Sequence, residues 1–166
     1  MKIMIVSDIH GYNTYMNKFI DIVEKEYPDK IIFLGDINYS RIRDDETINK
    51  LRLLRDKIIA VRGNCDDSND LECINFPVCE NYLVIKVDGK NWYLTHGHLN
   101  YKLPELGNDD ILFNGHTHCY ELSRNYINPG SLSLPRMHSE HTYIIYQNKS
   151  FKLYDLDGNV INELKI

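Results

Sequence analysis

The stretch Lys2-Ile-Met-Ile-Val-Ser7-Asp8-Ile-His10-Gly11 decides how this chain is read. Its opening residues are nearly all apolar, the texture of a strand buried on both faces and not of an alternating edge strand. The chain then turns polar at once, and Gly11 lets the backbone fold back. In open α/β sheets, ligand sites gather beyond the carboxyl ends of the strands, so an apolar run that ends in Asp, His and Gly is where a site should be sought.

Outward from this stretch the same grammar recurs. Met16, Phe19, Ile20, Val23 and Tyr27 fall on one face of a helix that Pro28 ends. Residues 30–34 form a second apolar strand running into Gly35-Asp36. A second helix is expected from about residue 44 to 56, with Asp44, Asp45 and Glu46 at its start and Arg52 and Arg55 near its end, as the helix dipole favours. Ile48, Leu51 and Leu54 supply its apolar face. A third strand, residues 57–61, leads into Gly63-Asn64-Cys65-Asp66, and the order β-α-β-α-β predicts a parallel sheet.

Beyond residue 76 short strands dominate. Residues 82–87, the turn Asp88-Gly89 and residues 91–95 have the length and turn chemistry of a hairpin, which runs into His96-Gly97-His98. Further strands are expected at 111–113, 120–122, 143–146, 151–154 and 160–161. The first of these runs into Gly115-His116-Thr-His118. A two-sheet α/β sandwich accommodates this order. With 166 residues and no linker or repeat, residues 1–166 are expected to form a single domain.

Five loops, each after a strand, therefore hold five of the seven histidines together with Asp8, Asp36, Asn64 and Asp66. Imidazole nitrogen mixed with carboxylate and amide oxygen suits borderline divalent ions such as manganese, iron, zinc or nickel. Taken singly, Asp8-x-His10 reads as a hydrogen-bonded loop and Gly35-Asp36 as a turn; the ordered set of five is what points to a metal site.

This ordered set resembles the calcineurin-like metallophosphoesterase superfamily. With Asn128-Pro129-Gly130-Ser131 and Pro135-Arg136 following in so short a chain, it is most similar to the YfcE-type phosphodiesterase branch. The resemblance implies a four-layer αββα sandwich of two mixed β-sheets flanked by helices. It also implies that Asp8, His10 and His118 bind one divalent ion, that Asn64, His96 and His116 bind another, and that Asp36 bridges the two. Manganese is the first expectation for both ions, with iron, zinc, nickel or magnesium as alternatives. Asn64 is implied to contact the substrate phosphate, and His98 either to contact it as well or to stand behind the metal ligands.

A hydroxide held between two such ions would attack phosphorus, and the ions would neutralise the charge that develops. Asp36, Cys65 and His98 are the expected catalytic residues. Many family members carry His where Cys65 stands, placed to protonate the leaving oxygen. A thiol, with a reference pKa of about 8.5, is a less well matched acid at neutral pH than an imidazole near about 6.5. A preference for phosphodiesters with good leaving groups is therefore expected. The plainer reading is that Cys65 is only a small residue beside the metals. Asp66 is expected either to orient a histidine or to face solvent, and Arg136 either to contact phosphate or to pair at the surface. Tyr12 and Tyr39 follow metal motifs, where a ring could flank a nucleobase or aryl group, although tyrosines also fill sheet surfaces. His138 and His141 are expected to face solvent.

Other classes fit less well. The net charge of −5 argues against strong nonspecific affinity for nucleic acid or an anionic membrane. No apolar run approaches the roughly 20 residues needed to span a bilayer, and the apolar opening ends too soon for a signal peptide, so a cytoplasmic protein is expected. Cys65, Cys73, Cys79 and Cys119 lack zinc-ribbon spacing and are expected as free thiols. Asp155-x-Asp157-Gly158-Asn159 has its Gly too early for a calcium loop and is read as a turn. His-Glu-x-x-His is absent, which disfavours a zinc peptidase. A small, possible nucleotide-like phosphodiester is the expected partner, and self-association through the edge of the late hairpin is an additional expectation. The alternative reading is a catalytically weak scaffold on the same fold, like the retromer subunit.

Overall fold

The computed structural model describes residues 1–38, 45–67 and 76–166. Two sheets stack face to face. The first has seven strands in the order β12-β11-β10-β1-β2-β3-β4: β1 (Ile3–Val6), β2 (Lys30–Phe33), β3 (Ile58–Val61), β4 (Val78–Cys79), β10 (Thr142–Gln147), β11 (Ser150–Asp155) and β12 (Val160–Lys165). The second has five in the order β5-β6-β7-β9-β8: β5 (Tyr82–Val87), β6 (Lys90–Thr95), β7 (Ile111–Phe113), β8 (Tyr120–Ser123) and β9 (Tyr126–Pro129). Both sheets are mixed. β1 to β4 run parallel, and β1 is antiparallel to β10; β6, β7 and β9 run parallel between the antiparallel partners β5 and β8.

β1 explains why its sequence does not alternate. All four of its residues are buried, since Met4 and Val6 face the helical side and Ile3 and Ile5 face the second sheet. Against the helical side lie α1 (Asn13–Glu26), through Met16, Phe19, Ile20 and Val23, and α2 (Asp45–Leu53), through Leu51. Between the sheets Trp92 is fully buried, with ring centroids 4.6 Å from Phe113, 4.9 Å from Tyr146 and 5.4 Å from Phe151. Large side chains buried this completely contribute roughly 1.5–3 kcal/mol each.

Several local expectations are corrected. Tyr27 leaves the apolar face of α1: it adopts the left-handed conformation that ends the helix and is 79% exposed. α2 is shorter than expected. It stops at Leu53, and the chain tightens into a 3-10 turn over Arg55–Lys57 before β3. β4 and β9 were not expected, because two residues and an Asn-Pro pair carry no strand pattern of their own and are strands only through their neighbours. Both α-helices lie on the seven-stranded sheet. The expected α/β sandwich of two mixed β-sheets is what forms; among the described residues its helices are few, and Val84, on the five-stranded sheet, is 42% exposed. Asp44, Tyr39 and Cys73 lie outside the described residues. Among the described residues, no helix is long and apolar enough to cross a membrane.

Candidate metal centre

Parallel pairing of β1, β2 and β3 sends their three following loops out of the same end of the sheet, and main-chain hydrogen bonds lock the loops together. Asp8 N donates to Gly35 O at 3.2 Å, Ile9 N and His10 N both donate to Asp36 O at 3.0 and 2.9 Å, and Gly11 N donates to Ile37 O at 2.9 Å. The third loop is tied in by Asp66. One oxygen of its buried carboxylate accepts from Asp36 N at 2.9 Å and Gly63 N at 2.8 Å, and the other accepts from Asn38 N at 2.9 Å. Asp66 thus neither orients a histidine nor faces solvent; it holds the backbone. The packing is tight enough that a Cβ on Gly63 would stand 2.0 Å from Asp36 Oδ1.

The backbone is strained where the donors sit. Asp8, His10, Asp36, His116 and His118 all have left-handed φ, between 53° and 64°. Such conformations cost of order 1–3 kcal/mol each and persist only where surrounding contacts over-determine them, as at ligand sites. Here the contacts are explicit. Ser131 Oγ and Ser133 Oγ both donate to Asp8 O, at 2.7 and 3.0 Å, and His116 N donates to Asp8 Oδ2 at 3.1 Å. Asn128, fully buried, donates to Gly115 O at 3.0 Å and to Thr117 Oγ1 at 3.1 Å, which braces the last loop.

Two groups of donors result. His118 Nε2 lies 3.2 Å from His10 Nε2 and 3.4 Å from Asp8 Oδ1, with His10 Nε2 3.9 Å from that same oxygen. Across the site, His96 Nε2 lies 3.0 Å from Asn64 Oδ1 and 3.4 Å from Asp36 Oδ2. Asp36 Oδ2 is also 3.6 Å from His10 Nε2, so its carboxylate stands between the two groups. Donors held at about 2.0–2.2 Å around one tetrahedral ion stand about 3.3–3.6 Å apart, which these spacings approach. The rings are aimed from behind: His96 Nδ1 donates to Leu34 O at 2.7 Å and His118 Nδ1 to Leu134 O at 2.6 Å, which turns each Nε2 toward the site. The Asn38 side-chain amide lies 3.2 Å from His10 Nδ1.

Asp8 supplies the test of whether a cation fits. Its Oδ1 is buried and has no hydrogen-bond partner, although two imidazoles converge on it. A buried carboxylate oxygen without a partner is costly, and a divalent ion among these donors would compensate it. Burial pushes the Asp8 carboxyl up to about 7. Burial also acts to raise Asp36, but a hydrogen bond to His96, the His96 charge, the Cys65 N–H and His10 outweigh it and hold Asp36 at about 2. His98, His116 and His118 are lowered, first by burial and then by cationic neighbours, which favours the neutral form that a ligand needs; burial also acts to lower His96, but its hydrogen bond to Asp36 and the charges of Asp8 and Asp36 outweigh it and raise His96, so an ion bound there would displace a proton from this ring.

The remaining expected residues arrange around this floor. Asn64, Cys65 and His116 are exposed and form an open rim, whereas Asp8, Asp36, His96 and His118 are buried. The His116 ring is 5.1 Å from His96. His98 stands beside the group, 5.3 Å from the His96 ring, with a buried Nδ1 that has no partner. Arg136 is exposed and close enough to lower both His116 and His118. His138 is exposed, as expected, but His141 is half-buried: it donates to Leu132 O at 2.9 Å and stacks on Tyr15 at 4.6 Å. Among the described residues Cys65, Cys79 and Cys119 form no disulfide. The Asp155 carboxylate accepts from Asp157 N and Asn159 N, closing the expected turn. Sequence reasoning missed Asn38 and Ser133 and quoted Ser131 without a role; their polar side chains act on the Asp8 carbonyl or on His10 Nδ1, contacts that no local spacing encodes.

Two mixed sheets whose loops deliver Asp, Asn and His to one strand end define the class of this protein: it belongs to the calcineurin-like phosphoesterase superfamily, whose domain model matches residues 1–150. Among individual relatives it is similar to the phosphodiesterase YfcE of Escherichia coli K12, at 29% identity over 100% of this chain and 98% of that one. The E. coli YfcE structure superposes with a TM-score of 0.88, covering all of both chains. The phosphodiesterase MJ0936 of Methanocaldococcus jannaschii is 30% identical over 71% of this chain and 74% of its own. The fold is shared also with Vacuolar Protein Sorting 29 from Cryptosporidium parvum, at 18% identity and a TM-score of 0.65 over 99% and 98% of the two chains.

Proposed function

We propose that this protein hydrolyses phosphodiesters at a centre of two divalent ions, manganese being the first candidate. The observation that carries the reading is the Asp36 carboxylate standing between His10 and His96, 3.6 and 3.4 Å from their Nε2 atoms, with Asp8 and His118 on one side and Asn64 on the other. Asp8, His10 and His118 would hold one ion, Asn64, His96 and His116 the other, and Asp36 both. Bound there, the ions supply an activated water and offset the charge that builds on the phosphate oxygens.

The chain's own residues do the rest. Asn64 and His98, at the open side, orient the phosphate. The Cys65 thiol on the rim is the group available to protonate the leaving oxygen, and its weak match to neutral pH favours leaving groups that depart without much help. Tyr12, 46% exposed just after His10, offers a ring face to an aryl or nucleotide-like leaving group. The near-complete donor set supports catalysis over a scaffold role, and free thiols accord with a cytoplasmic setting. β12 extends the same sheet as β1 to β4, which supports treating 1–166 as one domain although the family model ends at residue 150.

The test is hydrolysis of a bis-aryl phosphodiester beside the matching monoester with manganese, magnesium, zinc or nickel added. Metal-dependent cleavage of the diester, lost in Asp36→Asn, is expected; its absence with every metal would defeat the proposal. Cys65→His should change the ranking of leaving groups, and an unchanged ranking would remove the thiol from the reaction.

A further inference from the structure

The geometry points to a further ligand set at the mouth of the site, in which Cys65 joins His10 and Asp36 to take a thiophilic divalent ion such as zinc or cadmium. The inference rests on the divalent-ion reading above and adds a sulfur donor to it. Cys65 Sγ, a His10 ring nitrogen and an Asp36 carboxylate oxygen all lie within 4.8 Å of one another. Two contacts hold Cys65 at the rim of the site: Cys65 N donates to Asp36 Oδ1 at 2.8 Å, and Asn64 Nδ2 donates to Sγ at 3.2 Å. A second observation points to a cation beside the shared His10. Asp8 Oδ1, buried and without a hydrogen-bond partner, lies 3.9 Å from the same His10.

The chemistry follows from donor softness. Manganese and magnesium favour oxygen donors and have little use for a thiolate, whereas zinc takes sulfur readily. Because His10 and Asp36 belong to both sets, an ion that recruits Cys65 also fills a coordination position on the open side. Catalytic sites depend on keeping such a position for water or substrate. Recruitment breaks the S–H bond, forms a sulfur–metal bond and releases the proton to bulk water. The same thiol therefore discriminates between metals: a soft ion is held more tightly and in a more closed site than a hard one.

Cobalt(II) is the probe, because its visible bands report binding and a near-ultraviolet sulfur-to-cobalt charge-transfer band reports a thiolate ligand. The full chain loaded with cobalt should show both. Cys65→Ser should lose the charge-transfer band and keep the visible bands, and Cys119→Ser should keep both. By calorimetry, Cys65→Ser should bind zinc roughly 10- to 100-fold more weakly, a loss of the size seen when support for a metal ligand is removed, and bind manganese unchanged. Visible bands without charge transfer in the parent, or a charge-transfer band that survives Cys65→Ser, would overturn the sulfur ligand and leave the phosphoesterase reading standing. Cobalt that binds nowhere near these residues would overturn both.

Discussion

Replacing Asp66 tests how the site is held. Its carboxylate accepts three backbone N–H groups, from Asp36, Asn38 and Gly63, and the residue is 5% exposed. Leaving one buried donor unpaired costs about 1–3 kcal/mol, and bonds to a charged acceptor fall toward the upper end. Asp66→Ala strands all three donors. Allowing for relaxation and for water entering the space, it should destabilise the fold by about 3–6 kcal/mol, a large share of the roughly 5–15 kcal/mol that stabilises a domain.

Asp66→Asn separates shape from charge. An amide oxygen turned toward Asp36 and Gly63 keeps two of the bonds, but its NH2 then meets the Asn38 N–H donor to donor. The expected loss is about 2–3 kcal/mol. Denaturant unfolding in the presence of a chelator should rank wild type above Asp66→Asn and Asp66→Ala lowest, with m-values unchanged. Since the same bonds fix the backbone of Asp36, and of Asn38 behind His10, manganese affinity should fall about 10- to 100-fold in step. An Asp66→Ala protein that loses less than about 1 kcal/mol and binds manganese normally would refute the reasoning.

Other outcomes follow from the same geometry. In the presence of chelator, the part of the stability that Asp8 contributes should fall as pH rises from about 4 to about 7, because the folded state keeps the Asp8 proton, with its pKa raised to about 7, while the unfolded state has already released it; His98, His116 and His118, lowered in the fold, act the other way over the upper part of that range, so the slope is read as wild type minus Asp8→Asn. Saturating divalent ion should remove the Asp8 part, since the cation takes the proton's place; thermal melts of both proteins across pH with and without manganese decide it, and a difference between them that stays flat in chelator would count against the Asp8 environment. Gly63→Ala should displace Asp36, because the new Cβ would stand 2.0 Å from its Oδ1. A loss of about 1–3 kcal/mol by denaturant unfolding and weakened manganese binding by calorimetry are expected. Asn128→Leu leaves the Gly115 carbonyl and the Gly130 N–H without their side-chain partner and should cost about 2–4 kcal/mol, read by the same unfolding measurement.

How much of this was legible beforehand depends on the range of the interaction. The strands 82–87, 111–113 and 151–154 were readable because hydrophobic runs and turn residues act locally, and the helix over Met16, Phe19, Ile20 and Val23 because its apolar residues share one face. β9 was not, since Asn128 and Pro129 become strand only by pairing with β8 and β7. That Asp8, His10, Asp36, Asn64, His96, His116 and His118 lie on loops that follow strands was readable because apolar runs end beside glycine and polar side chains; their roles as metal ligands are what the resemblance implies.

Sequence alone determined which residues were available, since residue type sets donor chemistry and strand-loop order sets the end of the sheet at which donors emerge. Only the tertiary structure decided that Asp36 stands between His10 and His96, that Asp66 clamps three backbone amides, and that Cys65 Sγ lies within 4.8 Å of a His10 ring nitrogen. Those relations join residues far apart in the chain, and no local pattern encodes a distance that packing of two sheets creates.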